Sequence, residues 1–195
     1  MNRWIFVLLC LLLCHPAAAS QSRPYRLTER RMANEQTALR LINRAAGRTV
    51  WTKHVGDLDC LAWSADGRAL ALSVYTAGKT PFHLLVWQEG RPARLVNISP
   101  ALGGGSIDGV LDIQWSPDKR RLLFRGWQSG GKDLNVGQLG CLDRKTGRIS
   151  FVPAGVRQMQ WVGPARARYR VEKIVAHGNR TSVIDDPRPR FWTLR

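Results

Sequence analysis

VLDIQWSPDKRRLLFR, Val110 to Arg125, reads as a strand, a turn and a second strand. Apolar residues lead to Trp115, Ser116-Pro117-Asp118-Lys119 supplies the turn, and Leu122-Leu123-Phe124 restarts an apolar run. The same design stands earlier as DCLAWSADGRALAL, Asp59 to Leu72, and later, eroded, as VRQMQWVGPARARYRV, Val156 to Val171. Trp63, Trp115 and Trp161 recur at intervals of 52 and 46 residues. A repeat of that period marks a fold assembled from stacked units, each too small to bury its own apolar face.

Working outward, Leu58 to Trp63, Arg68 to Val74, Phe82 to Trp87 and Pro92 to Ile98 read as the four strands of one full unit. Its turn is Ser64-Ala65-Asp66-Gly67, and Thr76 to Pro81 reads as a loop. A second unit comprises Asp112 to Trp115, Arg120 to Arg125, Leu134 to Leu142 and Arg148 to Val152, with an outer turn at Asp143-Arg144-Lys145-Thr146-Gly147. The third begins at Val156. There Arg166, Arg168 and Arg170 alternate with Ala167, Tyr169 and Val171, which predicts a strand with one basic face. Thr181 to Ile184 and Phe191 to Leu194 complete that unit. Upstream, Thr28 to Ala46 admits a helix or a hairpin of Ala38 to Asn43 with Arg48 to His54. The repeat favours the hairpin and leaves a short helix over Glu29 to Gln36 open. Gly103-Gly104-Gly105 is not followed by Gly-Lys-Ser/Thr, so Ser99 to Gly109 reads as a loop and not a phosphate cradle.

Trp63-Ser64-Ala65-Asp66-Gly67 and Trp115-Ser116-Pro117-Asp118-Lys119 resemble the Trp-Ser-Pro-Asp-Gly signature of WD40-like repeats of the TolB-type propeller. Asp143 to Gly147 resembles the outer turn of the same repeat. The resemblance spans Ala38 to Leu194 and implies an all-β fold, a partial or small β-propeller built from four-stranded antiparallel blades. That class includes periplasmic scaffolds and propeller domains attached to peptidases, so it is nearly silent on activity. Two outer strands followed by three four-stranded units fall short of an ordinary ring. An open stack would expose apolar end faces and call for a second copy or a partner. The alternative is a small sandwich-like or four-bladed domain that closes alone.

Residues 1–19 read as a signal peptide: Arg3, an apolar run from Ile5 to Leu13, and Ala17-Ala18-Ala19 before Ser20. That apolar run is too short to span a bilayer. Lipidation at Cys14 is disfavoured by the bulk of Leu13. Residues 20–37 read as a basic N-terminal arm and 38–195 as the repeat domain. The expected location is periplasmic or extracellular, with no transmembrane segment after cleavage. In that compartment Cys60 and Cys141 could pair or could serve as two small buried side chains.

Thirty Lys and Arg against fourteen Asp and Glu give a net charge of +16. Such a balance suits an acidic partner or an anionic surface. Nucleic acid is not favoured, because Tyr169 falls on the face opposite Arg166, Arg168 and Arg170, so stacking and charge separate. His54, His83 and His177 match no metal spacing, and there is neither G-x-S-x-G nor C-x-x-C in the sequence. No catalytic, cofactor or metal residue is assigned. The candidate partner-binding residues are Trp127, Arg125 and Lys132 beside a glycine-rich loop, together with Arg166, Arg168 and Arg170. The expectation is an exported, non-enzymatic protein that binds a protein partner or self-associates as a scaffold. The competing expectation is a secreted hydrolase or carbohydrate-binding propeller, using acids such as Asp59 and Asp112 at the blade ends.

Overall fold

A computed structural model describes residues 23–76, 79–98, 109–129, 135–177 and 180–194. Within them the chain is all β and forms fourteen strands, every pair antiparallel. β1 (Tyr25–Arg31), β2 (Thr37–Asn43) and β3 (Thr49–Val55) make a first layer. β4 (Asp57–Trp63), β5 (Ala69–Thr76), β6 (Lys79–Gln88) and β7 (Arg94–Asn97) make a second. β8 (Gly109–Trp115), β9 (Arg121–Ser129) and β10 (Asn135–Asp143) pair in order, and the first half of β11 (Ile149–Gly163) completes this third layer.

β11 then serves twice. Residues from Val156 on pair with β12 (Arg166–His177), which also pairs with β14 (Arg190–Thr193) and, further along, with β13 (Arg180–Asp185). The second half of β11, β12 and β14 therefore form a fourth layer, from which the far half of β12 and β13 continue as a hairpin.

Alternation within each strand sends one set of side chains to each neighbouring layer. Three cores result. Tyr25, Leu39 and Leu41 meet Leu70, Leu72, Val74, Leu85 and Trp87 between the first and second layers. Ala71, Leu84, Val86 and Ile98 meet Val110, Ile113, Leu122, Phe124 and Leu142 between the second and third. Leu123, Leu139 and Cys141 meet Val156, Met159 and Ala167 between the third and fourth. The middle strands β5 and β9 are buried on both faces, which is why Ala69–Leu72 and Leu122–Phe124 run apolar without alternation.

Three expectations change. Tyr25–Arg31, within the segment read as a basic arm, is a strand paired along its length with β2, and neither it nor Glu29 to Gln36 is helical. The first layer thus has three strands where two outer strands were expected. The loop read over Thr76 to Pro81 shrinks, since β6 already begins at Lys79. The strands read separately as Arg148 to Val152 and Val156 to Trp161 are one strand. The Gly-rich segment Gly103 to Gly105 and the signal segment lie outside the described residues.

Candidate interaction surface

The two Trp-Ser-x-Asp turns are built alike, bond for bond. The Ser64 hydroxyl donates to Asp66 at 2.6 Å and accepts the Ala69 N–H at 2.9 Å. The Ser116 hydroxyl donates to Asp118 at 2.6 Å and accepts the Arg121 N–H at 2.9 Å. Each aspartate also accepts the N–H two residues on, from Arg68 and Arg120. Both serines are buried, so the bonds replace lost water. The left-handed position is Gly67 (φ 66°) in one turn and Lys119 (φ 57°) in the other. Lys119 reaches back to Asp66 at 2.6 Å and ties the second layer to the third.

Trp115 and Trp161 each tie their layer to the one before it. The Trp115 indole N–H donates to the Ala62 carbonyl at 3.0 Å, and that of Trp161 to the Gln114 carbonyl at 3.1 Å. Each ring is thus hydrogen-bonded to the inner strand of the preceding layer. Arg144 lies 5.2 Å over Trp115 and Arg23 5.6 Å over Trp63.

Among the described residues, the outward faces of the end layers are predominantly basic. On the first, register places Arg26 opposite Ile42, Thr28 opposite Arg40 and Arg40 opposite Thr52, and Arg30 opposite Ala38, itself opposite His54. Arg26, Arg30 and Arg40 are exposed. On the last, Gln158 pairs with Arg170, Gln160 with Arg168, and Arg168 with Phe191. Arg166, opposite Thr193, holds its guanidinium 4.4 Å over the Phe191 ring. Arg168 donates to Gln160 at 2.6 Å. Among the described residues none of Arg166, Arg168 and Arg170 has a carboxylate within ion-pairing distance. Among the described residues, the outward positions of these strands carry mainly arginine, threonine and glutamine, with Ile42, Ala38 and Phe191 as apolar members.

Of the residues expected to bind a partner, Arg166, Arg168 and Arg170 come together on this face. Arg125 does not join them. It is half-buried in the third layer, its charge acts on Asp112, and its Nε is buried without a hydrogen-bond partner. The backbone of Trp127 pairs with Gly109 and Gly137, while Lys132 lies outside the described residues. Sequence reasoning missed Phe191, which puts an aromatic ring on the basic face, half exposed at 50%. Alternation in Arg190-Phe191-Trp192 required one of the two rings to face outward, but the register with β12 decides which.

Loss of water on burial pushes the carboxyls of Asp112 and Asp59 upward. Asp59, although exposed over part of its surface, accepts the Val110 N–H at 3.4 Å across the layer boundary. Asp66 behaves oppositely: desolvation raises it, but Lys119, Ser64 and the Arg68 N–H outweigh that and hold it at about 2. Among the described residues no three His, Cys, Asp or Glu side chains gather to hold a metal. Cys60 and Cys141 lie in different layer interfaces and are not bridged to each other, and burial pushes Cys141 up to about 12. No helix among the described residues is long and apolar enough to cross a membrane.

No family profile matches the sequence, and no curated protein matches it. The fold, however, is similar to β-propeller structures. Against the tricorn protease the TM-score is 0.54 at 10% identity, over 82% of this chain and 16% of that one. Against the β-propeller domain of the Trilobed protease from Pyrococcus furiosus it is 0.53 at 12%, over 88% and 54%. Against the Pyrococcus horikoshii acylaminoacyl peptidase it is 0.50 at 13%, over 86% and 30%. The chain thus spans about half of one propeller domain and smaller shares of the two peptidases. At these identities the likeness defines a class, all-β proteins of propeller-like layered architecture. It does not single out the WD40-like or TolB-type branch.

Proposed function

We propose that this is an exported, non-enzymatic protein of the WD40-like, TolB-type class that acts by binding a protein partner. The observation that carries this reading is the pair of end faces: each turns to solvent arginines that have no carboxylate partner among the described residues. The identical hydrogen bonding of the two Trp-Ser-x-Asp turns supports the class. Self-association, the other form of the scaffold reading, is opposed by charge, since both faces are positive. The test is a photoreactive residue at Thr52, Pro117 or Gln160 of the exported protein. A discrete protein adduct from at least one position is expected; absence of any adduct at all three overturns the reading.

A hydrolase or carbohydrate-binding reading keeps one observation in its favour, the raised carboxyls of Asp59 and Asp112 on the adjacent strands β4 and β8. It requires that Asp59→Asn with Asp112→Asn abolish glycan binding or turnover while the fold survives. Unchanged behaviour of that double variant removes it.

A further inference from the structure

The second layer has four strands and the third is completed to four by β11, but the last has three across its width: β11, β12 and β14. Among the described residues, the outer edge of β14 pairs with nothing. An open edge offers alternating backbone donors and acceptors, which only another extended polypeptide can satisfy in register. The next strand position lies about 4.8 Å from β14.

One strand in from that vacant position, on β12, the outward side chains are basic. Arg166 leans across β14 to sit over Phe191, so its charge is displaced toward the open edge. Arg168, which donates to Gln160 on the β11 side, and Arg170 continue the row at alternate positions, about 6.8 Å apart along the strand. An extended segment repeats its own side chains on one face at the same interval. Carboxylates on alternate residues would therefore match this row, and an apolar residue would meet the exposed Phe191 ring.

We propose that an acidic, extended segment of a partner protein adds to β14 as the fourth strand of the last layer, its carboxylates over the Arg166–Arg168–Arg170 face. This rests on the protein-binding reading above and names the chemistry of the partner. A second copy of this chain fits poorly, because its first end face carries Arg26, Arg30 and Arg40 and its last carries Arg166, Arg168 and Arg170, so neither offers a row of carboxylates. Nucleic acid would use the charge but leave the strand edge unpaired, and one aromatic ring offers a single stacking platform.

The experiment uses the whole exported protein and a short synthetic peptide alternating glutamate and valine, read by fluorescence anisotropy and hydrogen exchange. Binding should weaken with salt. It should fall about tenfold or more in the R166Q/R168Q/R170Q variant and persist in R26Q/R30Q/R40Q. Amides of Arg190 to Thr193 should gain protection on binding. Melting temperatures of both variants control for folding. Equal binding by a scrambled peptide, protection elsewhere than β14, or no binding overturns the proposal. If adducts still form from Thr52 or Pro117, the broader protein-binding reading stands without it; if none form anywhere, both fall. A single-stranded oligonucleotide that binds through the same arginines while the peptide does not would replace the acidic strand with nucleic acid.

Discussion

Ser116 shows how a single hydroxyl closes a turn. It is 2% exposed, donates to Asp118 and accepts from the Arg121 N–H, so removing it orphans both groups. Ser116→Ala should cost about 1–3 kcal/mol, seen as a lower melting temperature with an unchanged spectrum. An effect below a few tenths would mean that water replaces the hydroxyl and the turn is not what holds β8 to β9. Lys119 tests opposing terms at the next position. Lys119→Gly relieves a left-handed backbone worth about 1 kcal/mol. It also deletes a half-exposed ion pair with Asp66 worth about 0–1 kcal/mol. The two nearly cancel, whereas Lys119→Ala loses the pair and keeps the strain; alanine should therefore melt below both. This much was legible locally: Trp-Ser-x-Asp names its own turn because all its bonds close within a few residues. The Lys119–Asp66 contact was not, since it joins residues 53 apart that meet only when layers stack.

Titration draws together residues from several layers, and the signs divide them. Asp66, Asp118 and Asp143 are lowered in the fold, so their contribution is complete above the ordinary value of 3.8 and is lost as pH falls toward the folded value, about 2 for Asp66. Glu29, Asp59 and Asp112 are raised by burial, so they weaken the fold when ionised, and that penalty is relieved as pH falls through their folded values. Stability should therefore peak on the acid side of neutrality, above 3.8, and drop below it. Urea melts across pH 2 to 8 check the position of the peak; a maximum at or above neutrality would contradict the upward shift of the three carboxyls.

At the scale of elements, β11 is the strand on which the stacking depends. It leaves the third layer at Gly155 and enters the fourth at Val156, with a register break against β10 between Gln138 and Leu139. The Val156 carbonyl crosses Gly137 so closely that a Cβ there would lie 2.4 Å from its oxygen. Backbone, not a side-chain tip, would have to move. Gly137→Ala should cost about 1–3 kcal/mol or more and loosen the core around Leu139, Cys141 and Met159. Its readout is the Cys141 thiol: alkylation that requires unfolding in the parent protein should become faster in the variant under native conditions. If melting falls while Cys141 stays protected, the damage is confined to β10. The repeat divided β11 into Arg148 to Val152 and a new unit from Val156, and nothing local reveals that one continuous strand serves both layers. The alternation of Arg166, Arg168 and Arg170 did disclose a one-sided strand. Which strand would lie beside it, and so that Phe191 would join the face, depended on a register set by β14 some twenty residues later.

At the scale of the molecule, the sequence period revealed a stack, and the number of units suggested that its ends would need covering. Among the described residues both ends carry rows of exposed arginine. Two guanidinium groups brought within 4 Å repel by about 1 kcal/mol even in water, and stacking copies end to end would oppose Arg26, Arg30 and Arg40 to Arg166, Arg168 and Arg170. The native protein should therefore scatter as a monomer at micromolar concentration in low salt. Reversing one face should create the missing complement. In R166E/R168E/R170E the last layer becomes acidic and faces the untouched arginines of the first layer in the next copy, a heterologous contact that can propagate. Mass by light scattering should rise with concentration for this variant and return to the monomer value in high salt, where charges about 10 Å or more apart are screened. A native protein that already associates, or a reversed variant that stays monomeric in low salt, would mean that something other than charge governs the ends of the stack.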